Sequence, residues 1–466
     1  MVFKNKEHLY FSIYEIVSLT VFGSILRFYR IGFHSFWLDE ILSIRDASVP
    51  FSKISSTVLA SPPLFHYLLR ALYLLVGRND FWLRILPAFF GIITVPIIYW
   101  VAWKLWGEKA AFWSALLMAV SVFDILYSQE LRMYSMLSLE TLLSIYFWIN
   151  AIDTGVKHYW FYYGFLTLIG LYTHNWFPFL VLAQAVWWLG ISIRQSSFDR
   201  FGLYAFIMIG FSYIPWLFVL RRQLSYPVYG HMGIPGWGAI RETFYAFAGI
   251  RVPSGESWVG IGADARTPLL LISLGFLIFG LLFEDGKRYL AIRVFCVGLF
   301  MPLAIAFLIS VYIKPIYLPG RYPIMCLPVY ILIVARGFQN VSDSWRNKAT
   351  FLGILWISAS LFTLGRYYWY YEKSSWKKAC QWIANQELSP EPLYVNLHAQ
   401  YAAYFTDYYL ASRTRNSELP LENKKDKSSY FFIEEGSSQP APSLIPSNRH
   451  IINEVHFAHL SVYQTQ

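Results

Sequence analysis

The sequence predicts an all-α polytopic membrane protein followed by a small α/β lobe, and three observations lead there. Of its 466 residues 56% are apolar and only 14% are charged, against about a quarter charged in a soluble domain. Apolar runs of membrane length recur along most of the chain, from residue 11 to residue 368. Beyond Tyr371 the composition turns polar and short strand-like runs replace them. Aromatic residues make up 20%, with 34 Tyr and 19 Trp, as suits a chain whose rings sit at many headgroup interfaces.

Taken in order, the runs 11–28, 82–103, 110–127, 133–152, 160–172, 177–193, 201–220, 268–283, 291–313, 323–338 and 350–368 give about eleven spans. Lys4 and Lys6 precede the first run with no small-residue cleavage site, which reads as a signal anchor with its leading end in the cytoplasm. Both large loops and the tail then lie outside. The first loop, 30–81, contains the run 62–77, with Pro62 and Pro63 at its start and Gly77 at its end. That helix is too short to cross and carries His66 and Arg70, so it is expected to lie along the membrane surface. In that topology the run 110–127 delivers Asp124, Gln129, Glu130 and Arg132 to the side that holds Asp39 and Glu40.

The second loop, 221–267, is rich in Gly and Pro, and its aromatics Tyr226, Tyr229, Trp237, Phe244, Tyr245 and Trp258 suit a packed lid over a site. The membrane domain therefore covers 1–371 and the extracytoplasmic α/β lobe 372–466. Strands are expected at 393–396, 430–433 and 450–452, a helix at 399–410, and a charged loop at 421–429.

A formal net charge of +10 could indicate nucleic acid, yet Lys and Arg are scattered between apolar runs and form no basic stripe. Membrane lipids and a phosphorylated substrate are the natural counter-charges. Cys296, Cys326 and Cys380 have neither disulfide nor metal spacing. No glycine-rich phosphate loop follows a strand, which argues against a nucleotide-driven reaction.

The chemistry-bearing residues cluster at span ends facing one side. Asp39 and Glu40 stand a few residues past the first span, where an acid is costly unless paired, hydrated or lining a polar cavity. Their bland reading is a plain N-cap by Asp39, since Leu42 at the third position rules out a capping box from it. On the same side fall His66, Asp124, Gln129, Glu130, Arg132, Tyr134, His174, Arg321 and Tyr322 as candidates for substrate binding. Arg132 and Arg321 could equally be interfacial anchors and His174 a structural histidine. Asp124 lies inside an apolar run, where an unpaired carboxylate would be expensive. His66, Glu40 and His174 could supply ligands to a divalent cation, but their spacing is not diagnostic.

The combination Phe36-Trp37-Leu38-Asp39-Glu40, Ser61-Pro62-Pro63-Leu64-Phe65-His66-Tyr67, Tyr127-Ser128-Gln129-Glu130-Leu131-Arg132-Met133-Tyr134 and Tyr172-Thr173-His174 resembles the bacterial membrane glycosyltransferases of family 39. These are similar to protein O-mannosyltransferases and aminoarabinose transferases of the GT-C fold. The resemblance covers roughly the first two hundred residues, with an echo at Gly320-Arg321-Tyr322. It implies a polyprenyl-phosphate-linked sugar donor, an extracytoplasmic active site in a bacterial inner membrane, and the first-loop acid, Asp39, as catalytic base beside Glu40. The acceptor could be a glycolipid, a polysaccharide or a protein. Aminoarabinose transferases carry a Lys directly before the proline pair, where this chain has Ser61, which shifts phosphate binding to cations such as Arg132 or Arg321. Two other classes fit a polar-lined bundle: a lipid or polysaccharide transporter, for which the expected internal repeats are missing, and an O-antigen ligase-like enzyme, which leaves the acidic pair unexplained.

Overall fold

The computed structural model describes residues 6–58, 61–196, 199–224, 233–254, 257–341, 346–370, 375–385, 402–410, 430–435, 451–457 and 460–465. Helix α1 (Lys6–Phe28) leads into a first loop made of α2 (Leu38–Ser48), α3 (Phe51–Thr57) and α4 (Leu64–Val76). Then come α5 (Asp80–Trp106), α6 (Glu108–Val120), α7 (Val122–Ser128), α8 (Tyr134–Thr154), α9 (Lys157–Thr173), α10 (Phe177–Arg194) and α11 (Arg200–Leu224). The second loop holds α12 (Trp237–Phe247) and a hairpin of β1 (Arg251–Ser254) and β2 (Ser257–Gly260). It is followed by α13 (Ala263–Leu282), α14 (Arg288–Phe295), a π-helical turn (Cys296–Phe300), α15 (Met301–Tyr312), a 3-10 turn (Tyr322–Cys326), α16 (Leu327–Gln339) and α17 (Arg346–Tyr370). The lobe contributes α18 (Trp376–Asn385), α19 (Ala402–Tyr409), β3 (Tyr430–Glu435), β4 (Ile451–Phe457) and β5 (Leu460–Thr465).

Among the described residues eight helices are long and apolar enough to cross a membrane, or nine if α6 and α7, bent by 55°, are one span. The two further spans expected from sequence are α1 and α9. Helix α9 has only 17 residues, and α1 is interrupted by Glu15, Ser18, Thr20, Ser24 and Arg27. Yet α1 exposes Ile13, Val17, Val21 and Ile25 at i, i+4 spacing, a lipid-facing stripe. The sequence predicts one continuous run over 110–127, and the structure breaks it between α6 and α7. The bend occurs at Ser121, whose side chain caps α7 by accepting from the Asp124 amide at 3.4 Å.

Helix α4 is the surface helix expected. It has 13 residues, starts after Pro63 and stops at Gly77, where φ is +64°, a conformation glycine adopts at no steric cost. Phe65, His66 and Leu69 are buried while Leu74 and Leu75 are exposed, and Arg70 donates to the Ser48 carbonyl at 2.9 Å, tying α4 to the end of α2. In the bundle, α13 and α16 cross backbone to backbone: a Cβ on Gly280 would lie 2.1 Å from the Ile333 carbonyl oxygen. Glycine at such crossings lets membrane helices approach closely enough for van der Waals packing to hold them.

The lobe's sheet is antiparallel in the order β3-β5-β4. The expected helix is α19, and the expected strands at 430–433 and 450–452 lie in β3 and at the start of β4. Strand β5 was not expected, and the expected strand 393–396 and charged loop 421–429 fall outside the described residues. The lobe docks on the first loop. Tyr409 Oη accepts from the Phe36 amide at 2.8 Å, Lys377 pairs with Asp80 at 3.1 Å, and the buried Trp376 stacks on Phe405 at 4.6 Å.

Candidate active site

The site is built at the N-terminus of α2. The helix starts two residues earlier than a cap at Asp39 would place it, with Trp37 at the N-cap. Asp39 is thus inside the first turn, where a carboxylate is favoured by the helix dipole, and Glu40 occupies the third position and accepts from the Trp37 amide at 3.1 Å. Successive helical residues point about 100° apart, and the two acids part ways accordingly.

Asp39 Oδ2 pairs with Arg321 Nη1 at 2.8 Å, both side chains about a quarter exposed (24% each). Arg321 is presented by a turn in which its amide donates to the Leu318 carbonyl at 3.0 Å, while the Tyr127 hydroxyl donates to the Gly320 carbonyl. Its guanidinium lies 4.6 Å over the Trp37 ring, a cation–π contact that fixes its plane. Arg132 arrives from the α7–α8 connection, where its amide donates to the Glu130 carbonyl at 2.6 Å in a tight turn. Arg132 Nη1 donates to Ser43 Oγ at 2.8 Å and to the Asp39 carbonyl at 3.4 Å. Burial opposes the charge on both guanidiniums, but Tyr134 and Asp39 outweigh it and hold both above the ordinary arginine value.

Around these charges stands an aromatic and imidazole wall. Tyr134, His174 and Tyr322 have ring centroids 5.2–6.3 Å apart. His174 Nδ1 accepts from the Trp176 amide at 3.1 Å, and Asn175 anchors this turn to α11 by accepting from Trp216 Nε1 at 3.1 Å. His66 reaches in from α4, and its Nδ1 has no hydrogen-bond partner among the described residues. Burial, then the positive field of Arg132, pushes both His66 and His174 down to about 3, so both rings are neutral near pH 7.

The first-loop acids and the Gln-Glu-Leu-Arg cluster thus share one face: Glu40 Oε1 accepts from the Leu131 amide at 2.9 Å. Glu40 itself departs from its grouping with Asp39. It is sealed from solvent, and Arg84 grips both its oxygens, Nε to Oε1 at 2.8 Å and Nη2 to Oε2 at 2.9 Å. With its oxygens accepting four hydrogen bonds, it is placed to hold α2 and not to touch a substrate. Asp124 and Gln129 are likewise framework. Asp124 pairs with the fully buried Arg27 at 2.6 Å. Gln129 donates to the Arg27 and Tyr29 carbonyls and accepts from the Tyr367 hydroxyl at 2.9 Å, closing the end of α1. Glu130 is buried beside Tyr127 and Arg132.

Arg27 and Arg84 were not singled out in the sequence. The available signal was an arginine at the end of one apolar run and another just inside the next, each needing a buried acid. As for a divalent cation, His66, Glu40 and His174 do not fit: among the described residues no group of three His, Cys, Asp or Glu side chains could hold one.

Residues 60–218 match the family described as Dolichyl-phosphate-mannose-protein mannosyltransferase. No curated protein matches the chain in sequence. Among solved structures it is similar to ArnT from Cupriavidus metallidurans bound to undecaprenyl phosphate, with a TM-score of 0.61 at 12% identity over 96% of this chain and 97% of that one. The apo state of the same protein gives 0.58 at the same identity and coverage. The oligosaccharyltransferase AglB from Archaeoglobus fulgidus gives 0.46 at 11% identity, over 90% of this chain and 62% of that one. The resemblance drawn from the sequence motifs is borne out by the family match over residues 60–218, and the chain has the polytopic fold seen in ArnT.

Proposed function

We propose that the protein is an integral-membrane glycosyltransferase that moves a sugar from a polyprenyl-phosphate donor to a hydroxyl acceptor on the extracytoplasmic face, with inversion. The observation that carries this reading is the Asp39–Arg321 pair with Arg132 beside it, partly open to solvent. One accessible carboxylate beside two guanidiniums is what transfer from a lipid phosphate requires. The undecaprenyl phosphate bound to the similar ArnT supports the donor class.

In this reading the donor phosphate engages Arg321 and Arg132, whose planar forks match its oxygens. Asp39, released from Arg321, takes the proton of the acceptor hydroxyl. The acceptor oxygen attacks the anomeric carbon from the face opposite the phosphate. The bond from that carbon to the phosphate oxygen breaks, and its electron pair leaves on polyprenyl phosphate, where the two arginines offset the added charge. His66 and His174, both neutral, serve as hydrogen-bonding wall residues, with Tyr134 and Tyr322 flanking the sugar. A glycolipid, a polysaccharide or a protein could present the hydroxyl, and no step is routed through a divalent cation.

The extracytoplasmic placement is supported by Lys4 and Lys6 ahead of the first apolar run, a basic flank of the kind that stays in the cytoplasm. The test is sugar transfer by purified protein from a polyprenyl-phosphate sugar. Wild type should transfer, and Asp39→Asn should lose about 10²–10⁴-fold in rate, the usual worth of a general base. An unchanged rate in the variant would remove Asp39 as base, and translocation of the lipid without transfer would make the protein a transporter.

A further inference from the structure

We infer that Trp258, on the β1–β2 hairpin of the second loop, is a positioning residue that holds Arg321 against Asp39; this rests on the roles proposed above for that pair. Arg321 is placed by its neighbour Gly320, and Gly320 is held from two sides. On one, the Tyr127 hydroxyl of α7 donates to its carbonyl. On the other lie Pro253 and Trp258, which face each other across the hairpin. A Cβ on Gly320 would lie 3.0 Å from Pro253 Cβ and Cγ and 3.2 Å from Trp258 Cη2, so the segment cannot retreat toward the hairpin.

The hairpin is in turn fixed from behind by α17. Trp356 Nε1 donates to the Ala248 carbonyl at 2.7 Å, Thr363 Oγ1 to the Ile250 carbonyl at 3.2 Å, and Arg366 Nη1 to the Gly260 carbonyl at 3.0 Å. The Arg251 guanidinium sits 5.2 Å over the Trp258 ring and is itself paired with Glu242 of α12 at 3.0 Å. An unbroken chain of contacts therefore runs from α17 through the hairpin and Gly320 to Arg321, and from there to Asp39. The sequence marked Trp258 as one aromatic of a lid. In the fold its ring is a stop behind the turn that aims Arg321, and a shift of that turn by about 1 Å is enough to cost a large factor in rate.

The test uses full-length protein in lipid nanodiscs, with Trp258→Ala, Trp258→Phe, Arg321→Ala and the double variant Trp258→Ala/Arg321→Ala. Amide hydrogen exchange over 318–322 should rise about tenfold in Trp258→Ala, while α8 and α16 keep wild-type exchange and Trp258→Phe restores most of the protection. With a polyprenyl-phosphate sugar, kcat/KM should fall about 10–100-fold in Trp258→Ala, and this loss should vanish in the Arg321→Ala background. Unchanged exchange over 318–322, an equal rise in every helix, or a Trp258→Ala loss that multiplies in full with that of Arg321→Ala would each overturn the inference. If wild type transfers no sugar, the proposed function falls and the exchange pattern alone decides the positioning role.

Discussion

Asp39 and Glu40 are neighbours in the chain, and each meets an arginine from a distant segment, yet the two ion pairs are built for opposite ends. Glu40–Arg84 is dry: the partners are 0% and 1% exposed, and Arg84 also donates to the Ile31, His34 and Ser35 carbonyls. Asp39–Arg321 is open: Arg321 Nη1 donates to Asp39 Oδ2, and both side chains are about a quarter exposed. A buried pair whose every hydrogen-bonding site is used resists rearrangement, because separating it strands a charge in a low dielectric. An exposed pair gains little from its Coulomb attraction and can trade partners. The motif thus divides labour by one helical step: Glu40 fixes α2 to α5 and to the Leu131 amide, and Asp39 stays accessible for the exchange of Arg321 for a substrate that the proposed function asks of it.

The largest effect should come from the sealed pair. Arg84→Ala leaves Glu40 buried without its cation and should cost about 3–5 kcal/mol of stability, read as a lowered melting midpoint in detergent; a wild-type melt would break the contrast. Arg321→Lys keeps the charge and loses the fork. It should melt like wild type but raise the KM for a polyprenyl-phosphate sugar about tenfold, and an unaltered KM would mean that Arg321 does not meet the phosphate.

The neutral histidines give a smaller, pH-dependent term. His66 and His174 are held down to about 3 in the fold against 6.5 when unfolded. As pH falls, the unfolded chain takes up protons first, so this stability is complete above pH 6.5 and is lost progressively toward pH 3. Melting midpoints measured from pH 7.5 to pH 5 should fall less steeply in His66→Gln/His174→Gln than in wild type, and equal slopes would contradict the burial argument. The smallest effect belongs to a pair on the opposite face. Arg288 and Glu284 are 43% and 80% exposed, and Arg288→Ala should change stability by no more than about 0.5 kcal/mol.

Much of this was legible in the sequence where a local rule and a burial rule agreed. The proline pair and Gly77 bound α4, and its length kept it on the surface. That placement put Asp39 and Arg132 on one face, where the structure brings them into contact. What stayed hidden depended on pairing across the bundle. Asp124 was marked as too costly to stand alone, but that Arg27 neutralises it is a contact between residues 97 positions apart. Arg84 lay unremarked inside α5, although it decides which of the two acids is accessible. The break at Ser121 was invisible to a count of apolar residues, because a serine cap costs such a run almost nothing. Strand β5 reads Leu-Ser-Val-Tyr-Gln-Thr, with neither the continuous apolar run that marks 430–433 nor a strict alternation to announce it.

The measurement that tests the division of labour most directly is a paired one on the two isosteric variants, Asp39→Asn and Glu40→Gln, each followed for melting midpoint and for transfer from a polyprenyl-phosphate sugar. The account predicts that Asp39→Asn melts like wild type and transfers almost nothing, while Glu40→Gln melts at a clearly lower temperature and keeps measurable transfer while folded. The reverse pattern, a destabilised Asp39→Asn that still transfers beside a stable Glu40→Gln that does not, would contradict it.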